Sequence, residues 1–219
     1  MIQGRPVRRT YNADGRRAQA RATREKILRT ARELFVRRGY AAVSVAEIAA
    51  AAGVSSPTVF AQFGSKVQLL KEAAETALVG DVEPEPLASR PAMVFVRDAP
   101  TGGSVLDRLA DLIAEAAPRT CPIYLVVYAA ADSDVQIAEL AAELDAQRLE
   151  GAAQLADAVI SKGGVDAGRD VARTALRDTI WTHNSPLLYR LLVVQRGWSV
   201  EQYGEWIRRG LRAHAGLAP

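Results

Sequence analysis

The sequence predicts an all-α fold, with a helix-turn-helix near the N-terminus followed by a longer run of helices. Three observations carry that reading. Apolar residues recur at helical spacing along most of the chain, as in Ile27, Leu28, Ala31, Leu34 and Phe35. Cap signatures open one segment after another, among them Ser44 with Glu47, Ser65 with Gln68, and Ser199 with Gln202. Aromatic residues make up only 6% of the chain while alanine is frequent, a composition that suits helices more than sheets.

The elements follow in order. Residues 1–15 hold Arg5, Arg8 and Arg9 among Gly, Pro and Asn without periodicity, and read as a disordered basic arm. A helix runs from Arg16 to Arg38 and ends at Gly39. Ser44 to Phe63 then reads as two short helices. Ser44 and Glu47 form a capping box for the first, which stops near Ala52. Gly53 supplies the left-handed residue of the turn, and Ser55 or Ser56 caps the second helix with Pro57 in its first turn. A restart about three residues after the first helix ends is helix-turn-helix spacing. Ser65 and Gln68 open a fourth helix on Leu69, Leu70, Ala73, Ala74, Ala77 and Leu78. Lys66 stands in its first turn, where the helix dipole disfavours a cation unless an external anion lies close by.

Residues 82–103, with Pro84, Pro86, Pro91 and Pro100, read as a linker of little regular structure. Ser104 is expected to open a helix that Pro118 ends. Pro122 restarts the apolar run Ile123 to Ala130, which fits a short buried helix or, taken alone, a buried strand. Asp132-Ser133-Asp134 lacks the further oxygen ligands of a calcium loop and reads as a turn with an N-cap. Helices from there to about Lys162, from about Ala167 to Trp181, from Ser185-Pro186 to Gly197, and from Ser199 onward complete the body.

Composition narrows function. No stretch approaches the ~18 apolar residues of a membrane span, and the basic N-terminus has no apolar signal segment, so a soluble cytoplasmic protein is expected. A single cysteine, Cys121, forms no disulfide framework and reads as an inert buried thiol. Gly102-Gly103 and Gly163-Gly164 are isolated pairs rather than a phosphate loop, and His183 and His214 start no zinc motif. No catalytic residues, metal ligands or cofactor are therefore expected, and the chain does not read as an enzyme. The charge is lopsided: residues 1–71 carry 14 Lys and Arg against 4 Asp and Glu, and the remainder carries 14 against 21. A basic front half around a helix-turn-helix points to contact with a polyanion.

The pattern Ile27-Leu28-x-x-Ala31-x-x-Leu34-Phe35-x-x-x-Gly39-Tyr40, then Val45-x-x-Ile48-Ala49-x-x-Ala52-Gly53-Val54-Ser55, then Thr58-Val59-Phe60-x-x-Phe63-x-Ser65-Lys66-x-x-Leu69-Leu70, resembles the TetR family of bacterial repressors. The stretch from Ser185 to Trp206 is similar to the C-terminal end of many actinobacterial proteins of that type. The resemblance implies a three-helix helix-turn-helix DNA-binding domain over residues 16–80, with the helix-turn-helix at 44–63. It also implies a helical ligand-binding and dimerisation domain over 81–219.

By position, Ser44 and Lys66 match phosphate contacts, and Ser55, Ser56, Pro57, Thr58, Phe60 and Gln62 belong to the recognition helix and its cap. Thr58 and Gln62 are the side chains expected nearest base edges. Phe60 stands where the family usually has a tyrosine, so a hydroxyl that often reaches phosphate is missing. The implied partners are a palindromic double-stranded operator, a second copy of the chain, and a small, mainly apolar effector that releases DNA. Tyr124, Tyr128, Trp181 and His183, polar-tipped groups among aliphatic residues, are the expected effector contacts. Leu187, Leu188, Leu191, Trp206 and Ile207 are the expected dimer interface. The alternative is a constitutive DNA-binding dimer whose C-terminal part only dimerises.

Overall fold

The computed structural model describes residues 13–80, 86–163 and 169–216, and every regular element among them is helical. Most of the expected arm, residues 1–12, lies outside the described residues, as do 82–85 of the expected linker and Gly164.

Four helices form the head: α1 (Ala13–Arg38), α2 (Val45–Ala52), α3 (Ser56–Phe63) and α4 (Lys66–Val79). The stripe Ile27, Leu28, Ala31, Leu34, Phe35 is buried along α1, and Tyr40 packs its ring 5.8 Å from that of Phe35. Gly53 takes φ +69°, so its amide turns back onto the Ala49 and Ala50 carbonyls and the chain can reverse into α3. The Ser44–Glu47 box is complete, with both reciprocal bonds formed. The Ser65 box is half made. Ser65 accepts from the Gln68 amide, but the Gln68 side chain donates to Glu72 at 3.1 Å instead of returning to the cap.

The body departs from expectation in three places. The expected linker is largely ordered: a 3-10 turn at Leu87–Ser89 leads into α5 (Pro91–Arg97), with Pro91 at the first helical position where its missing amide costs nothing. Helix α6 runs unbroken from Gly102 to Ala131 through both Pro118 and Pro122. Its cap is Thr101, whose hydroxyl accepts from Ser104 while Ser104 bonds back, so Ser104 is the third helical residue rather than the cap. The two prolines each remove one backbone bond. The helix continues because α4, α7, α9 and α10 all pack along it, and Arg119 and Thr120 add side-chain bonds to the Glu115 and Ala116 carbonyls. Tertiary packing settles the Ile123–Ala130 run as helix.

Helix α7 (Val135–Ser161) is capped by Asp134, which accepts from the Gln136 and Ile137 amides, as the turn-and-cap reading expects. After α8 (Arg169–His183), Ser185 caps the short α9 (Pro186–Tyr189). The third departure follows: Arg190–Gln195 is π-helical, and the Arg196 amide bonds the Leu191 carbonyl five residues back before Gly197 stops the segment. Helix α10 (Val200–His214) closes the chain behind a complete Ser199–Gln202 box.

Two apolar cores result. One fills the head and continues without a break into Ile123, Tyr124, Val126 and Val127 of α6 and Ile137, Leu140 and Leu144 of α7. The other lies among α5, α6, α7, α8 and α10.

Candidate nucleic-acid interface and internal cavity

Helix α3 is held by Val59 and Phe63, both buried, which leaves Pro57, Phe60 and Ala61 exposed on its outer face. Phe60 is 49% exposed. The expected base readers differ in posture. The Thr58 hydroxyl lies 2.8 Å from that of Ser55, inside the cap. Gln62 is half-buried: its carbonyl accepts from Arg24 at 3.1 Å, and its Oε1 is shielded from solvent without a hydrogen-bond partner. Arg24, which the sequence did not single out, also pairs with Glu72 and lies 4.4 Å over the Phe63 ring, tying α1 to α3 and α4.

The two expected phosphate contacts flank this helix. The exposed Ser44 hydroxyl donates to Glu47 at 2.8 Å, and Glu47 is held by Arg38 at 2.8 Å. The Ser44 amide, then Arg38 and the Ser44 hydroxyl, lower the Glu47 carboxyl to about 2. Lys66 sits with Nζ 4.0 Å above the Tyr40 ring. Desolvation pulls its ammonium below the usual lysine range, while Asp134 and Glu47 pull the other way. The ring face thus gives the cation at this helix start an internal partner as well.

A cavity of about 980 Å³ lies where head meets body. Arg24, Glu72 and Glu75 reach it from the head, and Leu109, Tyr124 and Arg148 from α6 and α7. Tyr124 is thus brought to the wall, and burial pushes its phenol up to about 12. Cys121 shares the wall, with its thiol raised to about 12 by the same cause.

The other three expected effector contacts are placed elsewhere. Tyr128 donates to Asp145 at 2.6 Å, and Trp181 lies 5.3 Å under the Arg148 guanidinium. His183 stacks on Trp206 at 4.9 Å, with Nδ1 donating to the Thr179 carbonyl at 2.9 Å. Arg148 joins these parts, bonding Asp145 at 2.7 Å and the carbonyls of Trp181 and Asn184 at 2.8 and 3.1 Å. No signal in the sequence marked Arg148, because an arginine within a mixed polar stripe is indistinguishable from a solvated one until α8 closes over it.

Of the expected dimer residues, Leu187 and Leu191 are 46% and 45% exposed, and Leu188 is half-buried. Val194, beside them in the π-helical segment, is 64% exposed and was not anticipated. Trp206 is half-buried against His183 and Tyr203. Ile207 is a correction. It is fully buried in its own chain, because α10 turns that face onto α6 and α8.

Residues 27–73 match the model of the bacterial regulatory proteins of the tetR family. Three solved structures share the fold of nearly the whole chain. A putative TetR-family transcriptional regulator from Syntrophomonas wolfei has 16% identity and a TM-score of 0.65, covering 89% of this chain and 95% of its own. One from Mesorhizobium loti has 19% identity and a TM-score of 0.64, covering 90% and 97%. A putative transcriptional regulator from Saccharomonospora viridis, solved in complex with choline, has 24% identity and a TM-score of 0.59, covering 88% and 95%. No curated protein matches the chain. Residues 27–73 therefore match the bacterial regulatory proteins of the tetR family, and the head and helical body together share the fold of these solved structures.

Proposed function

We propose that the chain is a dimeric, sequence-specific repressor that leaves its operator when a small, mainly apolar molecule fills the cavity at the head–body junction. The observation that carries the reading is the cavity's position. Its wall is built from α1 and α4 of the head together with α5 to α9 of the body, so an occupant touches both parts at once. Helix α4 is also tied to the body directly, through Lys71 to Glu143 at 2.5 Å and Arg119 to the Ala77 carbonyl at 3.0 Å. A ligand that prefers one setting of α4 shifts the spacing of two heads in a dimer, and it weakens DNA binding only by its differential affinity for the two settings. Typical couplings of about 1–3 kcal/mol correspond to roughly 5–150-fold changes in affinity. Choline in the Saccharomonospora viridis structure supports a small organic occupant in this fold.

Ser44 and Lys66 are assigned to phosphates, α3 to the major groove, and Leu187, Leu188 and Leu191 to the two-fold interface. The test is selection of a bound duplex from a random pool, followed by its affinity across a panel of hydrophobic compounds with thermal shifts in parallel. Release by at least one compound that also stabilises the protein is expected. A protein that binds a duplex tightly and responds to none of them is a constitutive binder, and the effector reading then fails.

A further inference from the structure

We infer that α3 reads DNA mainly through apolar contact with thymine methyl groups, and that Phe60, with Pro57 and Ala61 beside it, sets the base preference. The inference rests on the DNA-binding role proposed above. Pro57, Phe60 and Ala61 are spaced i, i+3, i+4, so they share one face of the helix, and all three are exposed. No residue from Ser56 to Phe63 carries a charge, so the arginine–guanine pairing that serves many recognition helices has no donor on this one. The polar side chains on the helix are largely committed or withdrawn. Thr58 is bonded to the Ser55 hydroxyl, and Gln62 keeps its Oε1 out of solvent.

A phenylalanine ring can neither donate nor accept, so it cannot distinguish the hydrogen-bonding edges of bases. The apolar feature that a base pair presents in the major groove is the C5-methyl of thymine. The surroundings fit a duplex rather than a protein surface. Lys66 follows the end of α3 in the chain, and Lys26 brings its Nζ to the Gly53 turn that precedes α3. Basic flanks fix the duplex by its phosphates while the apolar centre meets the groove floor.

The experiment uses the full chain. A duplex is selected from a random pool and remade with deoxyuridine in place of thymidine, one position at a time, which removes only the methyl group. Affinities are measured for the wild type, Phe60→Ala and Phe60→Leu, with circular dichroism confirming that the variants fold. Loss of one or two methyl groups per half-site is expected to weaken the wild type about 5-fold or more. Phe60→Ala is expected to lose a similar factor on the thymidine duplex and to become indifferent to the methyl, with Phe60→Leu between them. Tolerance of deoxyuridine at every position overturns the inference, as does a methyl penalty that persists undiminished in Phe60→Ala. Failure to select any duplex overturns the DNA-binding reading itself and this inference with it.

Discussion

Lys66 and Glu47 show how single residues near α3 divide their work. Lys66 lies over Tyr40 and, among the described residues, forms no ion pair within hydrogen-bond reach. Lys66→Ala is expected to weaken binding to every duplex alike and to reduce the slope of log affinity against log salt by about 1, measured by fluorescence anisotropy over a salt series. A change in sequence preference with an unaltered slope removes Lys66 from the phosphate contacts. Glu47 carries a pH consequence. Its folded pKa lies below the ordinary carboxylate value, so its favourable contribution is fully present above that value and is lost as pH falls toward about 2. A carbon-13 titration should find the Glu47 midpoint well below the ordinary glutamate value, and Ser44→Ala should move it upward. Both residues were legible in the sequence, since a capping box and a misplaced cation are local patterns. The bond from Arg24 to the Gln62 carbonyl was not, because the two residues lie 38 positions apart in the chain.

Among the elements, the short α2 and α3 and the long α1 and α7 were readable, and α6 was not. Helices α2 and α3 are bounded by residues whose own chemistry sets the ends, namely Ser44, Gly53 and Ser55. Helix α6 defeats the same logic, since Pro118 and Pro122 are local stop signals that packing from the neighbouring helices overrides. The π-helical segment at Arg190–Gln195 likewise has no pattern of its own, as its bonds differ from those of an α-helix by one residue in register. Helix α10 offers a test of close packing. A Cβ at Gly204 would stand 2.9 Å from the Cβ of Ala114, inside the contact limit and against an atom that cannot rotate away. Glycine to alanine within a helix ordinarily gains about 1 kcal/mol. At Gly204→Ala the overlap should reverse the sign, with a net loss of about 1–2 kcal/mol in denaturant unfolding as α10 is pushed from α6. An increase in stability there would mean the two helices are free to part.

For the whole molecule, the exposed row Leu187, Leu191 and Val194 is the surface that a second copy is proposed to cover. The double variant Leu187→Glu, Leu191→Glu should sediment as a monomer at micromolar concentration with helix content unchanged. It should bind a palindromic duplex at least about 100-fold more weakly, since one head alone spans a single half-site. A dimer that survives both changes places the interface elsewhere. The unbroken core beneath α4 has a different bearing, on how the protein can be engineered. Because Ile123, Val127, Ile137 and Leu140 complete the same apolar cluster as Ile27, Ile48 and Leu70, a cut after Gly80 divides a core rather than a tether. A chimera that grafts this head onto a foreign body at that junction inherits half of an unmatched seam. To retain the donor's stability it must also carry the segment of α6 and α7 from Ile123 to Leu144, so the exchangeable unit is larger than the stretch that touches DNA.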